Sequence, residues 1–290
     1  MKNRHLFSVR ILAVLSLAFI AGCGDDYLGN GGNDIATNKE MILRTDTTSV
    51  AIYMAGTGTA TINWGDGSSE IVTLSVSIND AFTSQQRYAH NYAVSSSHTI
   101  TIFGTNITHL DCHDKQLTSL SVSKNTALTY LRCEKNQLTS LDVSKNTALS
   151  ILRCYSNQLT KLDVSKNTAL TILSCEGNQL TSLDVNKNTA LTVLWCDGNQ
   201  LTKLDVNKNT ALTWLGCDSN QLTKLDLSKN TTLDTFSFGH NQLTSLALNA
   251  LFETLHSNAG VIKRISIIGN PGTDTCNRSV ATNKGWVFVS

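Results

Sequence analysis

The sequence lacks a large net charge of either sign. Lys and Arg number 23 against 22 Asp and Glu, which leaves a formal charge of +1 over 290 residues. Nucleic-acid binding needs clustered positive charge, because lysines and arginines must replace the counterions of the phosphate backbone. No run of basic residues supplies it. The sequence therefore predicts no nucleic-acid partner.

Catalytic motifs are also missing. The patterns G-x-S-x-G and H-E-x-x-H do not occur, and neither does a phosphate-binding glycine loop. The densest group of metal-ligand residue types is His109, Asp111, Cys112, His113 and Asp114. On a strand the two histidines would lie about 13 Å apart, too far to share a zinc ion with bonds of about 2.0–2.1 Å. We predict no enzyme, no metal site and no cofactor.

A long apolar run occurs at the N-terminus. Lys2, Arg4 and Arg10 precede ILAVLSLAFIAG, which is short for a bilayer span and typical of a secretory signal. The run ends in Ile20-Ala21-Gly22-Cys23, which resembles the lipobox of bacterial lipoproteins. That resemblance implies that residues 1–22 are a signal peptide and that Cys23 is acylated, so that a lipid anchor holds the protein at a membrane. The alternative is an ordinary secretory signal with a chance cysteine.

Residues 23–39 are predicted to form a flexible tether, because the segment from Gly24 is rich in Gly, Asp and Asn and poor in apolar residues. Gly24-Asp25-Asp26 resembles the surface-export signal of lipoproteins in Bacteroidetes-type bacteria. It implies an outer-membrane lipoprotein exposed at the cell surface. Loss of the three basic residues of segment 1–22 would change the formal charge from +1 to −2.

Residues 40–104 are predicted to form a small antiparallel β-sandwich. The runs MILRT, SVAIYMA, TATINW, EIVTL, QRYAHNY and HTITIF are rich in β-branched and aromatic residues and are separated by turn residues. Trp64-Gly65-Asp66-Gly67, followed by His90 and Tyr92, resembles a PKD-type domain. We interpret His90 as a packed or hydrogen-bonded residue of the sandwich and not as a catalytic one.

A 21-residue repeat begins at Ile107, with the pattern L-x-x-L-x-C-x-x-N-Q-L-T-x-L-D-V-S-K-N-T-A. A fixed period of this length is typical of a solenoid. The first half of the pattern resembles the leucine-rich-repeat consensus with cysteine in place of leucine. The fold class we predict is β-rich with minor α structure: a PKD/Ig-like sandwich, a leucine-rich-repeat solenoid over 105–270 and a helix/strand cap over 271–290. A helix is also expected around Leu248–Leu255, from its apolar spacing.

The repeat places one cysteine in each of the first six coils. These cysteines could form disulfides, bind metal ions or simply pack in the interior. In-register stacking puts neighbouring Cβ atoms ~4.8 Å apart, whereas a disulfide needs ~3.8 Å. Phe238 takes the position in the seventh coil, which suits an apolar slot. We predict reduced thiols that pack as small hydrophobic groups: Cys112, Cys133, Cys154, Cys175, Cys196 and Cys217.

Two polar columns accompany the cysteines. An asparagine three residues after the cysteine is expected to pair with buried backbone groups at the bend, and Lys115 replaces it in the first coil. An aspartate in the second half of the coil is followed three residues later by lysine, which offsets the stacked charge. We interpret these aspartates as a solvated ladder and not as a calcium site. The second half of each coil is expected to form a short strand or tight turn.

Three positions of the repeat vary from coil to coil. They are the residue before the strand leucine, the residue between this leucine and the cysteine, and the residue after the cysteine. Because packing fixes the other columns, we predict that the variable side chains face outward on the concave strand face. Aromatic residues and arginine commonly anchor interfaces, and drift on an idle surface is the alternative. The predicted ligand-binding residues are Tyr130, Arg132, Arg153, Tyr155, Trp195 and Trp214. Trp214 lies one coil beyond Trp195 and one column over, so we expect the two indoles to be adjacent.

The sequence thus predicts a membrane-anchored, surface-exposed lipoprotein that binds a protein or a glycan without catalysis. A structural or spacer protein of the cell envelope is the alternative. The repeat by itself does not identify the ligand, because it describes a scaffold.

Overall fold

A computed structural model describes residues 39–76, 86–258 and 262–289. Cys23, the predicted signal peptide and all but the last residue of the predicted tether lie outside the described residues. Within the described ranges, no helix is both long enough and apolar enough to cross a membrane.

The N-terminal region forms the strands that the sequence predicts. In the strands of residues 40–45 and 98–103, buried residues alternate with partly or fully exposed ones, as the β-branched runs require. Met41, Leu43, Ile52, Ile62 and Ile100 have no exposed surface and form the centre of this region. The strands are β1 (Glu40–Thr45), β2 (Ser49–Gly56), β3 (Thr59–Asn63), β4 (Ser69–Thr73), β5 (Gln86–Asn91) and β6 (His98–Phe103).

The repeat region forms a leucine-rich-repeat solenoid with 21-residue coils, as predicted. Each strand pairs in parallel with the strand one coil later, so that Leu152 lies beside Leu131 and Leu173. The leucines and cysteines of the pattern point inward: the cysteines have no exposed surface, and the leucines are at most 8% exposed. The strands are β7 (Ile107–Asp111), β9 (Tyr130–Arg132), β10 (Ile151–Arg153), β11 (Ile172–Ser174), β12 (Val193–Trp195), β13 (Trp214–Gly216), β14 (Thr235–Ser237) and β15 (Lys263–Ser266).

Both sheets of the sandwich continue into the first coil, which also contains β8 (Leu117–Ser121). One sheet has the order β4-β3-β6-β1-β8, and the other runs from β15 to β9 and then through β7, β2 and β5. Strand β2 pairs antiparallel with β7, and β1 pairs antiparallel with β8. The sandwich therefore covers the open edge of the first coil, which an unprotected solenoid would expose. The change of sequence pattern near residue 104 is not a break in the sheets.

The predicted asparagine column is a hydrogen-bonded ladder. In Asn157, Nδ2 donates to the carbonyls of Cys133 and Cys154 at 3.0 and 3.1 Å, and Oδ1 accepts from the Leu138 N–H at 3.0 Å. The same three bonds recur in every coil after the first, which has Lys115 at this position, so the amide satisfies buried backbone groups of two coils at once. The members are Asn136, Asn157, Asn178, Asn199, Asn220, Asn241 and Asn270.

A second asparagine ladder follows the opposite wall, and the sequence reasoning missed it. Asn167 Nδ2 donates to the carbonyls of Val143 and Asn146 at 2.9 and 2.8 Å. The second half of each later coil forms turns and not a strand, and the ladder supplies the bonds that a strand would have made. The invariant Asn of N-T-A was the signal in the sequence. The members are Asn146, Asn167, Asn188, Asn209 and Asn230.

The residue two positions after each cysteine has a positive φ. In two coils it is glycine, at Gly177 and Gly198 with φ of 61° and 60°. In other coils Lys135, Ser156 and Ser219 adopt the same conformation, with φ between 52° and 54°. This left-handed residue turns the chain out of the strand. Only glycine adopts this conformation without a steric cost, which explains why glycine occurs at this position in two coils.

The solenoid ends in a helix and a last repeat strand, and the cap predicted over 271–290 contains a short helix and a closing strand. Thr244 Oγ1 accepts from the Ala247 N–H and begins helix α1 (Ser245–Thr254), which buries Leu248, Leu251 and Phe252. Strand β15 restates the repeat, and helix α2 (Ser279–Thr282) leads into β16 (Trp286–Phe288), which pairs in parallel with β15. Trp286 is buried against Phe236 at a ring-centroid distance of 5.1 Å.

The six repeat cysteines are free thiols with no exposed surface. Burial raises the pKa of every one of them. The thiol of Cys196 lies 3.3 Å from the Gly216 carbonyl of the next coil, a weak S–H donor contact. Because metal binding and oxidation require the thiolate, this environment favours inert packing, as predicted from the spacing.

We expect the six repeat thiols to resist a thiol reagent in the native protein and to react after unfolding without a reductant. Cys276 is half-buried and serves as an internal control that reacts in the native state. Mass spectrometry of the labelled chain measures both states. Rapid native labelling of all six would contradict burial, and six unreactive thiols after unfolding would reveal disulfides.

Candidate binding surface on the solenoid strands

We call one surface of the solenoid the strand face. It consists of the outward side chains of the solenoid strands and of the side chain two positions after each strand. In the three-residue strands the middle leucine points inward, and the first and third residues point outward. Parallel register aligns these positions in columns, with Val193 beside Trp214 and Trp195 beside Gly216. Neighbouring residues in a column are therefore separated by one strand spacing of about 4.8 Å.

Tyr130 and Arg132 were predicted to be exposed, and this was wrong. Tyr130 is 2% exposed and stacks on His109 with ring centroids 5.3 Å apart. Arg132 is 7% exposed: Nη1 donates to Asp111 Oδ2 at 3.0 Å, and Nε donates to Glu134 Oε1 at 2.8 Å. Paired charges can be buried because each satisfies the other. These two residues strengthen the start of the solenoid and offer little surface to a ligand.

Arg153 and Tyr155, in the third coil, are half-buried. Within its column, Arg153 lies between Arg132 of the preceding coil and Ser174 of the following coil. Burial raises the pKa of Glu176, and the positive charge of Arg153 acts in the opposite direction. These two residues retain part of the exposure that the sequence predicts.

The two tryptophans are adjacent, as their columns predict. Trp195 and Trp214 have ring centroids 6.2 Å apart with planes at 71°, an edge-to-face pair. Trp214 is 43% exposed and Trp195 is half-buried. A Cβ at Gly216 would lie 3.0 Å from Trp195 Cδ1, so the missing side chain gives the Trp195 indole room over the next coil. The result is an aromatic platform on the strand face.

Acidic side chains lie next to this platform. Asp197 Oδ1 accepts from the Asp218 N–H at 2.8 Å. Asp218 accepts in turn from the Gly239 N–H and the Ser237 hydroxyl of the next coil. Glu176 accepts from the Ser174 hydroxyl at 2.8 and 2.9 Å.

Burial raises the pKa of Asp197 to about 6, and the charges of Asp218 and Glu176 add to the effect. Burial raises the pKa of Glu176 as well, and the charge of Glu134 acts in the same direction. With a pKa of about 6, Asp197 is mostly ionised at neutral pH, at a cost in folding free energy.

Arg264 also belongs to this surface, and the sequence reasoning missed it. Strand β15 places Arg264 beside Thr235, in the column that contains Trp214, and its side chain is exposed. Ile265 and Ile267 fit the inward positions of the repeat, so the residue before Ile265 could have been assigned to the outward column.

The histidines singled out from the sequence have structural contacts. His113 Nδ1 lies 2.6 Å from Asp111 Oδ1, and His90 Nε2 lies 2.6 Å from Asp66 Oδ2 with its ring stacked on Trp64. His90 is thus hydrogen-bonded, as predicted. Within the part of the chain that the structure describes, no three His, Cys, Asp or Glu side chains are grouped so that they could hold a metal ion.

Fold and surface together define the class of this protein: a leucine-rich-repeat solenoid with an internal cysteine column. No protein-family model matches the sequence, and no curated protein matches it either. Among solved structures, the functional domain of InlJ from Listeria monocytogenes, which includes a cysteine ladder, is 36% identical with a TM-score of 0.50. The match covers 63% of this chain and 43% of that chain.

Two further structures from Listeria monocytogenes support the fold alone. The internalin InlF is 23% identical with a TM-score of 0.52, over 58% of this chain and 50% of that chain. Internalin C2 is 20% identical with a TM-score of 0.51, over 63% and 81%. The chain thus spans half or less of the first two structures that it matches. Their similarity lies in the solenoid architecture.

Proposed function

We propose that this protein is a non-catalytic recognition protein that binds a protein ligand through the strand face, centred on Trp195 and Trp214. One observation carries the proposal: two indoles form an adjacent pair, and Trp214, at 43% exposure, is the one exposed large apolar side chain among the described residues 107–243. Exposed aromatic patches of this kind mark interaction sites. The similarity to the functional domain of InlJ, which includes a cysteine ladder, supports a solenoid that serves as the scaffold of a surface site.

A glycan ligand and a spacer role are the competing functions. Indoles also stack on sugar rings, whereas a spacer would use neither indole. The test is to probe protein and glycan arrays with the full chain in detergent, as the wild type and as the Trp195→Ala/Trp214→Ala variant. Protein hits that the variant loses support the proposal. Glycan hits that the variant loses replace protein by glycan, and identical profiles for both forms favour the spacer.

We also propose that the protein is a surface-exposed outer-membrane lipoprotein whose sandwich is PKD-like. The lipobox-like ending at Cys23 and the two acids at Asp25 and Asp26 support this location. The antiparallel strands and the packed Trp64, His90 and Tyr92 support the PKD-like assignment. A tether between lipid and sandwich would hold the strand face away from the membrane.

Substitution of Cys23→Ser is expected to abolish lipid attachment, because serine has no thiol to acylate. The protein should then be released from the membrane fraction or remain unprocessed. Fractionation and mass spectrometry of the N-terminus measure both, and Cys276→Ser is the matched control that keeps the anchor. A wild-type mature N-terminus that is unmodified and lies elsewhere than at Cys23 would contradict the proposal.

A further inference from the structure

The charge of the strand face changes along the solenoid. In the coils of β7, β9 and β10, the acids Asp111 and Glu134 are paired with Arg132, and Arg153 follows one coil later. In the coils of β11, β12 and β13, the outward columns contain no Lys or Arg. They contain three acids, which together with the two indoles define what we call the acidic platform: Glu176, Trp195, Asp197, Trp214 and Asp218.

Carboxylate and indole are close neighbours within this platform. A Cβ built on Gly216 would lie 2.6 Å from Asp197 Oδ2 and 3.0 Å from Trp195 Cδ1. Both groups therefore converge on the space above the same glycine, and the Asp197 carboxylate lies beside the edge of the Trp195 indole. Asp197 Oδ1 is occupied by the Asp218 N–H. The contacts described for this part of the chain assign no donor to Oδ2.

We infer that the acidic platform binds a cationic protein segment, with an Arg or Lys side chain lying on the indoles and its charge paired with Asp197, Glu176 and Asp218. This inference rests on the proposed function and specifies the partner. Indole faces attract cations through the ring quadrupole. Carboxylates at the edge of such a face add charge-assisted hydrogen bonds, with an Arg fork the best geometric match.

The energetics of the platform agree with this occupant. Three acids on successive coils repel one another, and burial adds to their cost. A cation relieves both effects, whereas an anionic partner would increase them. Two arginines flank the acidic platform along the solenoid without belonging to it. Arg153 lies on its N-terminal side and Arg264 on its C-terminal side.

Binding should also depend on pH, since burial raises the pKa of Asp197 to about 6. Below that value Asp197 takes up a proton and loses its attraction for a cation. Glu176 and Asp218 face it from the neighbouring coils, and Arg153 faces Glu176 from the N-terminal side. Affinity for a cationic segment is therefore expected to fall as the pH decreases from 7.5 to 5.

The test uses a capped peptide of alternating Arg and Gly, titrated into the full chain in detergent and followed by calorimetry. A peptide with Glu in place of Arg is the charge control. The test variant is Glu176→Gln/Asp197→Asn, which keeps the oxygen acceptors that bond Ser174 and Asp218. The matched control is Asp184→Asn/Asp205→Asn, which removes the same charge from exposed positions on the other wall.

We expect the Arg peptide to bind the wild type and the Glu peptide not to bind. The platform variant should lose at least tenfold in affinity, and the control variant less than twofold. Equal losses of affinity in the two variants would show that binding depends only on net charge, and would overturn the inference. Failure of the Arg peptide to bind, or equal binding of the Glu peptide, would also overturn it. An array ligand that is lost with both indoles while the Arg peptide fails to bind would retain the proposed function and reject its cationic partner.

Discussion

Replacement of Asn178 by alanine is expected to destabilise the solenoid by about 3–5 kcal/mol. The side chain donates to the carbonyls of Cys154 and Cys175 at 3.1 and 3.0 Å and accepts from the Leu159 N–H at 3.0 Å. Alanine leaves the buried Leu159 N–H without its acceptor, which costs about 1–3 kcal/mol. The carbonyls of Cys154 and Cys175 each lose one of two bonds and keep the bond from Asn157 or Asn199, at about 0.5–1.5 kcal/mol for each bond lost. Urea unfolding followed by circular dichroism measures the change.

The neighbouring residue provides the control for this prediction. Gln179 is exposed, and its backbone N–H, which alanine retains, bonds the Leu159 carbonyl at 2.9 Å. Gln179→Ala should therefore change stability by no more than about 0.5 kcal/mol. A loss for Asn178→Ala that is as small as that for Gln179→Ala would show that the ladder does not hold the coils together.

Loss of both indoles, Trp195→Ala with Trp214→Ala, is expected to weaken binding of the array-identified ligand by about 2 kcal/mol, roughly 30-fold. Both side chains point away from the solenoid interior, so the inward leucines Leu194 and Leu215 keep their packing. The fold should remain intact. Affinity is measured by calorimetry and folding by thermal unfolding of the same samples.

Exposed apolar residues elsewhere give the control for the indoles. Ile71 on β4 is 77% exposed and Leu246 on α1 is 80% exposed. The variant Ile71→Ala/Leu246→Ala removes apolar surface from the protein without changing the strand face. If it weakens binding as much as the loss of both indoles, recognition does not depend on the strand face, and the spacer or another surface becomes the better account.

The solenoid could be predicted from the sequence because each coil repeats the same physical problem. The inward positions must accept the same volume in every coil, so Leu and Cys recur at a fixed interval, and the bend must satisfy the same carbonyls, so Asn recurs with them. The strands of the sandwich were predictable for a different reason: their β-branched residues alternate between buried and exposed sides. Local chemistry specified both patterns.

Contacts between distant parts of the chain were not predictable in this way. Strand β1 pairs with β8, with Leu43 beside Leu120, although the two residues lie far apart in the sequence. Neither segment's sequence identifies the strand with which it pairs, because any two strands with an apolar face satisfy the same local rules. The joining of sandwich and solenoid therefore required the structure.

The candidate site shows the same division. Column spacing correctly placed Trp195 beside Trp214. Variation in a column was read as exposure, and this failed at Arg132 because Asp111 and Glu134 lie close enough to bury its charge. Whether a variable side chain is accessible depends on which side chains the neighbouring coils place around it, and a single column does not contain that information.

The central claim is that ligand binds on the strand face, and fluorine NMR of the chain labelled with 5-fluorotryptophan tests it most directly. The sequence has four tryptophans. Trp195 and Trp214 lie in the proposed site, whereas Trp64 and Trp286 are buried elsewhere at 2% and 1% exposure. Single Trp→Phe variants assign the four signals. Addition of the array-identified ligand should shift the signals of Trp195 and Trp214 and leave those of Trp64 and Trp286 unchanged. Saturating ligand that leaves the Trp195 and Trp214 signals in place would contradict recognition by this surface.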